Sequence, residues 1–291
     1  MQKASARITM SISMAIFGTM GFFVRSIAVS SGELALYRAV LAVLFIAVVL
    51  IFTKNKSRLA DIKHEIPLLL LSGIAMGINW ILLFEAYKHT SVSVATLSYY
   101  FAPVIVMLVC PLLFKERPTK KQIICFIMST LGIVLITGVQ STGGSQNIIG
   151  ILFGLGAAAF YATVVLLNKF IKRVNGIQRT FLQFAAAIII LLPYVALTSG
   201  FNLAGLDTKG FIYLLIVGFV HSGFAYCLYF SSLKELSGQR AAILSYIDPL
   251  VAVAVSVTLL NEKMTVPQII GGLLILGFTL FNEVNIKKKV W

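Results

Sequence analysis

Apolar residues in this chain gather into ten long runs separated by short polar segments. The runs cover residues 8–27, 34–52, 66–87, 92–114, 123–139, 148–171, 178–198, 211–233, 241–260 and 268–286. Each is close to the roughly 20 residues that a helix needs to cross a hydrocarbon core of about 30 Å. A helix also satisfies its own backbone hydrogen bonds, which lipid cannot do. The pattern therefore predicts ten membrane-spanning helices. The third and fourth are divided only by Lys88, His89, Thr90 and Ser91. The first run could be read as a cleaved signal segment, but its length fits a full crossing.

Composition agrees with the pattern. Hydrophobic residues make up 59% of the 291 and charged residues 12%. A water-soluble domain carries roughly 45–50% apolar and about 25% charged residues. The excess apolar surface must face lipid. A net charge of +14 would ordinarily raise the question of nucleic acid. Here the charge sits in the short segments between runs, which is the arrangement of a membrane protein's loops and excludes a nucleic-acid partner.

Those charges also predict an orientation. With the N-terminus inside, nineteen Lys and Arg fall on the inner segments, among them Lys3, Arg7, Lys54, Lys63, Lys120, Lys172, Arg173, Arg179 and Lys287. Only Arg25, Lys88, Lys209 and Lys263 fall outside, and Arg38 lies within a run. Such a split places both termini in the cytoplasm of a cell-membrane protein.

The chain contains its own copy. Residues 84–124 align without a gap on residues 230–270. Pro103 meets Pro249, Glu116 meets Glu262 and Gln122 meets Gln268, each at a separation of 146. The chain divides into one five-helix repeat over residues 1–140 and a second over 141–291. Five is odd, so the second copy enters the membrane inverted. Inverted repeats of this kind build transporters whose two halves alternate between opposite openings. The polar link from Gln140 to Asn147 is read as a loop.

Candidate chemistry clusters in the repeated stretch. Pro103 and Pro249 lie inside the fourth and ninth runs, where each removes a helical hydrogen bond and marks a hinge. Polar side chains surround them: Tyr99 and Tyr100 in one copy, Ser245, Tyr246 and Asp248 in the other. Freed backbone in a membrane must be buried or line a water-filled space. These helices therefore border a central cavity, although a simple packing kink is the plainer alternative. Asp248 stands where the first copy has Ala102. A carboxylate at that depth costs roughly 2.5–3.5 kcal/mol to insert, so it serves a ligand amine, a coupling proton or a structural pair. Arg38 suits a substrate carboxylate, or else snorkels to the interface or pairs with Glu33 or Glu85. His221 is either a proton relay or a neutral packing residue. Asn79, Trp80 and Tyr226 complete the cavity candidates, and aromatic rings at helical spacing equally suit plain packing.

Enzyme constellations are missing from the sequence: it has no His-Glu-x-x-His, no paired aspartates and no nucleotide-binding loop. Cys110, Cys125 and Cys227 lack metal-ligand spacing, so neither metal nor cofactor is expected. Gly73 and Gly77, like Gly150 and Gly154, are spaced for close helix contacts.

Taken together, the segments Pro103–Glu116–Gln122–Gly132 and Pro249–Glu262–Gln268–Gly271–Gly272 resemble the drug/metabolite transporter superfamily in its ten-span EamA branch. Phe17, Gly18 and Arg38 are also similar to that branch. The resemblance implies an all-α membrane fold of two inverted five-helix repeats around a central cavity. It further implies a secondary transporter, an exporter of small metabolites such as amino acids. A membrane-embedded enzyme on lipid-linked substrates and an exporter of cationic drugs are the alternatives. Cys125, where the second copy has Gly271, and Asp248 depart from the pattern. The partners expected are a small-molecule solute, the bilayer and protons as coupling ion; the oligomeric state is left open.

Overall fold

The computed structural model describes residues 2–52, 62–114, 119–138, 144–233, 235–236, 241 and 244–283. Every regular element among them is helical. The first span is α1 (Gln2–Gly18) followed by α2 (Met20–Arg25), and the second is α3 (Ser31–Phe52). A single 3-10 turn at Lys63–Glu65 leads into α4 (Ile66–His89), the third span. The fourth is broken into α5 (Val92–Tyr99) and α6 (Ala102–Phe114). Spans five, six and seven are α7 (Lys120–Gly138), α8 (Gly144–Asn168) and α9 (Gly176–Thr198). The eighth runs through α10 (Thr208–Leu215), a π-helical stretch (Ile216–Phe224) and α11 (Ala225–Leu233). The ninth contains α12 (Ile247–Thr258) and the tenth is α13 (Val266–Glu283).

Seven described helices are long and apolar enough to cross a membrane, and Ile247–Thr258 and Val266–Asn282 are shorter apolar helices. With α7, they fall on the ten apolar runs. Leu44, Val48, Ile51, Ile189, Leu197 and Leu273 are exposed on the outside of the bundle. A continuous apolar belt of this sort is stable only against lipid. The protein is an all-helical, multi-pass membrane protein.

Side chains set where several helices begin. Ser91 accepts a hydrogen bond from the Val94 amide at the start of α5, Asn175 from Gln178 at α9, and Asp207 from Gly210 at α10. Each fills one of the donors that a helix start leaves open. Where the sequence suggests a loop up to Asn147, the chain is already helical from Gly144. There the Asn147 side chain accepts from the Thr90 hydroxyl at 2.9 Å, which ties the start of α8 to the end of α4. Glu116 and most of the basic residues that suggest the orientation lie outside the described residues.

Contacts between spans repeat in swapped pairs. Span three packs on six, and eight on one; span seven packs on three, and two on eight; four packs on six, and nine on one. Spans five and ten, two and seven, and four and nine pack on their own counterparts. That is the pattern of two five-helix repeats related by a pseudo-two-fold axis, and with an odd number of spans the second is inverted. At the five–ten contact a Cβ added to Gly132 would lie 2.6 Å from the Gly271 carbonyl oxygen. The backbones touch there because neither residue has a side chain. Cys125, which stands in the repeat position of Gly271, is buried beside Val104 and Met107 instead.

Candidate functional site

The fourth and ninth spans break at matched places. α5 stops at Tyr99, and the amide of Phe101 bonds the Ser98 carbonyl at 3.2 Å. α6 restarts at Ala102 with Pro103 in its first turn, where proline's missing N–H costs nothing. In the ninth span α12 starts at Ile247, again with its proline, Pro249, in the first turn. The first span is interrupted at Thr19 and the eighth by its π-helical stretch. Interruptions on four spans that pack together leave irregular backbone where the bundle is best able to enclose it.

Rings from six spans converge between these breaks. Trp80 lies edge-on to Phe184 at 4.9 Å, and Phe184 edge-on to Tyr226 at 5.3 Å. Phe17 closes on Tyr226 at 5.0 Å. On the other side Tyr99 faces Tyr161 at 5.4 Å and Tyr100 at 6.0 Å. Tyr161 is 40% exposed although it sits mid-helix against Tyr99, and Tyr99, Tyr100, Tyr226 and Asp248 are half-buried. Partly accessible rings thus face one another across the bundle.

Two opposite charges lie beside these rings, one from each repeat. The Arg38 guanidinium lies over the Trp80 ring at 4.6 Å and near the Phe84 ring at 5.7 Å. It is 3% exposed and donates through Nε to the Ser222 hydroxyl at 2.5 Å. Neither snorkelling nor pairing with Glu33 or Glu85 describes it. Glu33 accepts from Ser30, Asn202 and Tyr37, and Glu85 pairs with Lys88 and His89. Asp248 accepts from the Tyr100 hydroxyl at 2.7 Å and, among the described residues, has no cationic partner. The first span passes directly behind it: a Cβ added to Gly18 would lie 2.5 Å from the Asp248 carbonyl oxygen. Arg38 holds five donors in a planar fork, so a single hydrogen-bond acceptor among the described residues leaves most of them to other partners.

The remaining sequence candidates have other surroundings. Asn79 donates to the Ala157 carbonyl at 2.6 Å and clamps span three to span six. His221 is buried with both ring nitrogens engaged, one with Thr19 at 2.9 Å and the other with the Ile216 carbonyl at 3.3 Å, and packs on Phe23. Ser245 donates to Ala241 one turn back, and Tyr246 sits half-buried before α12. Sequence reasoning left Phe17, Tyr161, Phe184 and Phe230 out of the cavity candidates, although it noted Phe17 for the family resemblance. Phe184 follows Arg38, and Phe230 follows Phe84, by the repeat interval of 146, so the internal alignment pointed to both. Nothing in the sequence singled out Tyr161.

At the end of the bundle where α2 finishes, a second polar cluster joins four spans, the first, third, fourth and ninth. Arg25 pairs with Glu262 and donates to the carbonyls of Tyr87 at 3.1 Å and Thr90 at 3.3 Å. Glu262 also accepts from the Val92 amide at 2.9 Å and from Ser256, which in turn meets Ser93. Beneath the pair lies a cavity of about 240 Å³ lined by Val24, Arg25, Leu34, Phe84, Tyr87 and Lys88 among others.

Comparison with known proteins follows this geometry. The sequence pattern of the EamA-like transporter family matches residues 5–138 and, a second time, residues 148–282. The uncharacterized transporter YxxF of Bacillus subtilis is 31% identical over 93% of this chain and 86% of its own length. Protein PecM of Dickeya dadantii is 27% identical over 81% of this chain and 78% of its own length. A solved crystal structure superposes with a TM-score of 0.62 at 16% identity, covering 95% of each chain, and shares the fold.

Proposed function

This chain belongs to the EamA-like transporter family and is a membrane transporter, and we propose that it exports small zwitterionic or amphipathic metabolites, amino acids among them, by alternating access. One observation supports the reading: Arg38 and Asp248, unneutralised by any described protein charge, lie against Trp80 and Tyr100 among the rings beside the broken fourth and ninth spans, and we take those rings as the wall of one chamber. Leaving two charges apart in a membrane interior costs several kcal/mol, and a solute bearing both an acid and an amine offsets that cost on binding. Its acid meets Arg38, its amine meets Asp248, and its apolar body lies among Trp80, Phe184 and Tyr226. Between solutes, a proton neutralises Asp248, so outward movement of solute is exchanged for inward movement of protons. The surplus of Lys and Arg supports a cytoplasmic position for both termini, in the cell membrane. The end bearing Glu262 then faces outward.

Export of cationic drugs is the second reading. Asp248 among tyrosines favours it, while the unpaired Arg38 opposes a cation. Solute counterflow into proteoliposomes, with amino acids, their decarboxylated amines and cationic dyes as competitors, separates the two. Competition by amines alone as strong as by the parent amino acids would reject the zwitterion reading.

Asp248→Asn keeps an acceptor for Tyr100 but removes the charge. The expected outcome is a loss of about tenfold or more in affinity for amine-bearing solutes, and no response of transport to an imposed pH gradient. Full retention of that response would remove Asp248 as the proton carrier. Pro103→Ala and Pro249→Ala restore a backbone donor at each break. Turnover is expected to fall several-fold with affinity nearly kept, because the change stiffens a hinge without touching the chamber. Initial rates over a range of solute concentration measure both quantities.

A further inference from the structure

The Arg25–Glu262 cluster joins parts that must separate if the chamber is to open at this end. Arg25 ends the first span, Val92 starts the fourth, and Glu262 follows the ninth. Two of these belong to the first repeat and one to the second. A single carboxylate thus joins the repeats here through Arg25 and the Val92 amide, while Ser256 of its own repeat positions it. The cavity of about 240 Å³ lies just beneath, with Arg25 and Lys88 in its wall and Phe84 in its lining. Phe84 is fully buried, and the Arg38 guanidinium lies 5.7 Å from its ring. Phe84 is therefore shared by the cavity and the Arg38 cluster of the chamber. Phe84 thus connects the cavity beside the ion pair to the Arg38 cluster.

The cavity's chemistry points to its occupant. Its wall is apolar apart from the Tyr87 residue and two basic side chains, Arg25 held by Glu262 from the other repeat and Lys88 by Glu85 on its own helix. We propose that this cavity is an exit subsite for an organic carboxylate, and that Glu262 is a latch which such a carboxylate displaces from Arg25. The ligand's acid and the Glu262 carboxylate compete for one guanidinium. When the ligand wins, the bond between repeats at this end is lost and the mouth opens. When it leaves, Glu262 returns and reseals it. Lys88, 44% exposed at its side chain, draws anions toward the same rim. The proposal rests on the transport reading, but makes a separate claim about which contact controls one end.

The test uses the full chain in lipid nanodiscs, with Cys110, Cys125 and Cys227 replaced by alanine and Leu34→Cys as reporter. Leu34 lines the cavity and is 2% exposed. The readout is the rate of modification by a water-soluble maleimide, with benzoate as the probe carboxylate and benzyl alcohol as its uncharged control. Benzoate is expected to speed labelling of the parent about tenfold, matching a shift of about 1.4 kcal/mol between closed and open mouths, and benzyl alcohol to leave it unchanged. Glu262→Gln is expected to label fast without benzoate and to gain nothing from it. Arg25→Gln gives the same comparison should Glu262→Gln fail to fold. Labelling of a folded latch variant at the parent's rate, or equal acceleration by benzoate and benzyl alcohol, overturns the proposal. Solute counterflow is measured on the same variants. Counterflow with an unresponsive latch overturns the latch alone, whereas a responsive latch with no counterflow of any solute overturns the transport reading instead.

Discussion

Arg38→Ala is expected to weaken binding of carboxylate-bearing solutes by about 10- to 100-fold, the equivalent of a charge-assisted hydrogen bond of roughly 1.5–3 kcal/mol. The guanidinium is buried over Trp80 and spends one donor on Ser222. Its other donors are what a carboxylate would meet. Arg38→Lys is expected to recover only part of the loss, because an ammonium cannot hold the planar two-point geometry or stack as well on Trp80. Competition in counterflow assays between an amino acid and its amide separates the carboxylate contact from general damage. An unchanged ratio of the two affinities in Arg38→Ala would remove the residue from the solute's carboxylate. Thermal unfolding of the same variant reports the packing lost beside Trp80 and Phe84 as a separate quantity.

The largest effect on stability is expected at the contact between spans five and ten. Gly271→Val and Gly132→Val each place carbon against the opposing backbone, since even a Cβ would approach the facing carbonyl oxygen to 2.5 Å or 2.6 Å. Backbone cannot give way as a flexible side chain does, so the two helices must separate. A cost at or above the usual 1–3 kcal/mol of overpacking is expected, seen as a lower unfolding temperature in detergent and poorer yield of folded protein. Gly277→Ala is the control on the same helix. Nothing lies within 4 Å of its added Cβ, so it should be nearly neutral. Equal loss from Gly277→Ala and Gly271→Val would show that the close approach does not set the effect.

Much of the architecture was legible before any coordinates. The apolar runs, the constant interval of 146 between copies and the two matched prolines each describe a property of a short stretch or of one stretch repeated. Helix breaks do stand beside Pro103 and Pro249, each of which sits in a first turn where its missing donor costs nothing, but Pro193 lies inside the unbroken α9, so proline alone does not decide the break. The start of α8 at Gly144 was missed, because the Thr90–Asn147 bond that secures it comes from another helix. The chamber was legible only in part. Asp248 stood out as a carboxylate in an apolar run, but its Tyr100 partner lies 148 positions away. Arg38 drew attention for the same reason, yet its acceptor is Ser222, not either of the carboxylates nearer in sequence.

What the sequence determined by itself is therefore the set of membrane-crossing helices, their inverted duplication and the two places where a proline allows a break. Tertiary structure alone decided which faces meet: Arg38 with Ser222, Tyr99 with Tyr161, Arg25 with Glu262 and Gly132 with Gly271. The reason is physical. Partition into lipid sums over a window of about 20 residues along one dimension. Pairing across the bundle depends on each helix's rotation and register against distant neighbours, and those are set by all the contacts together.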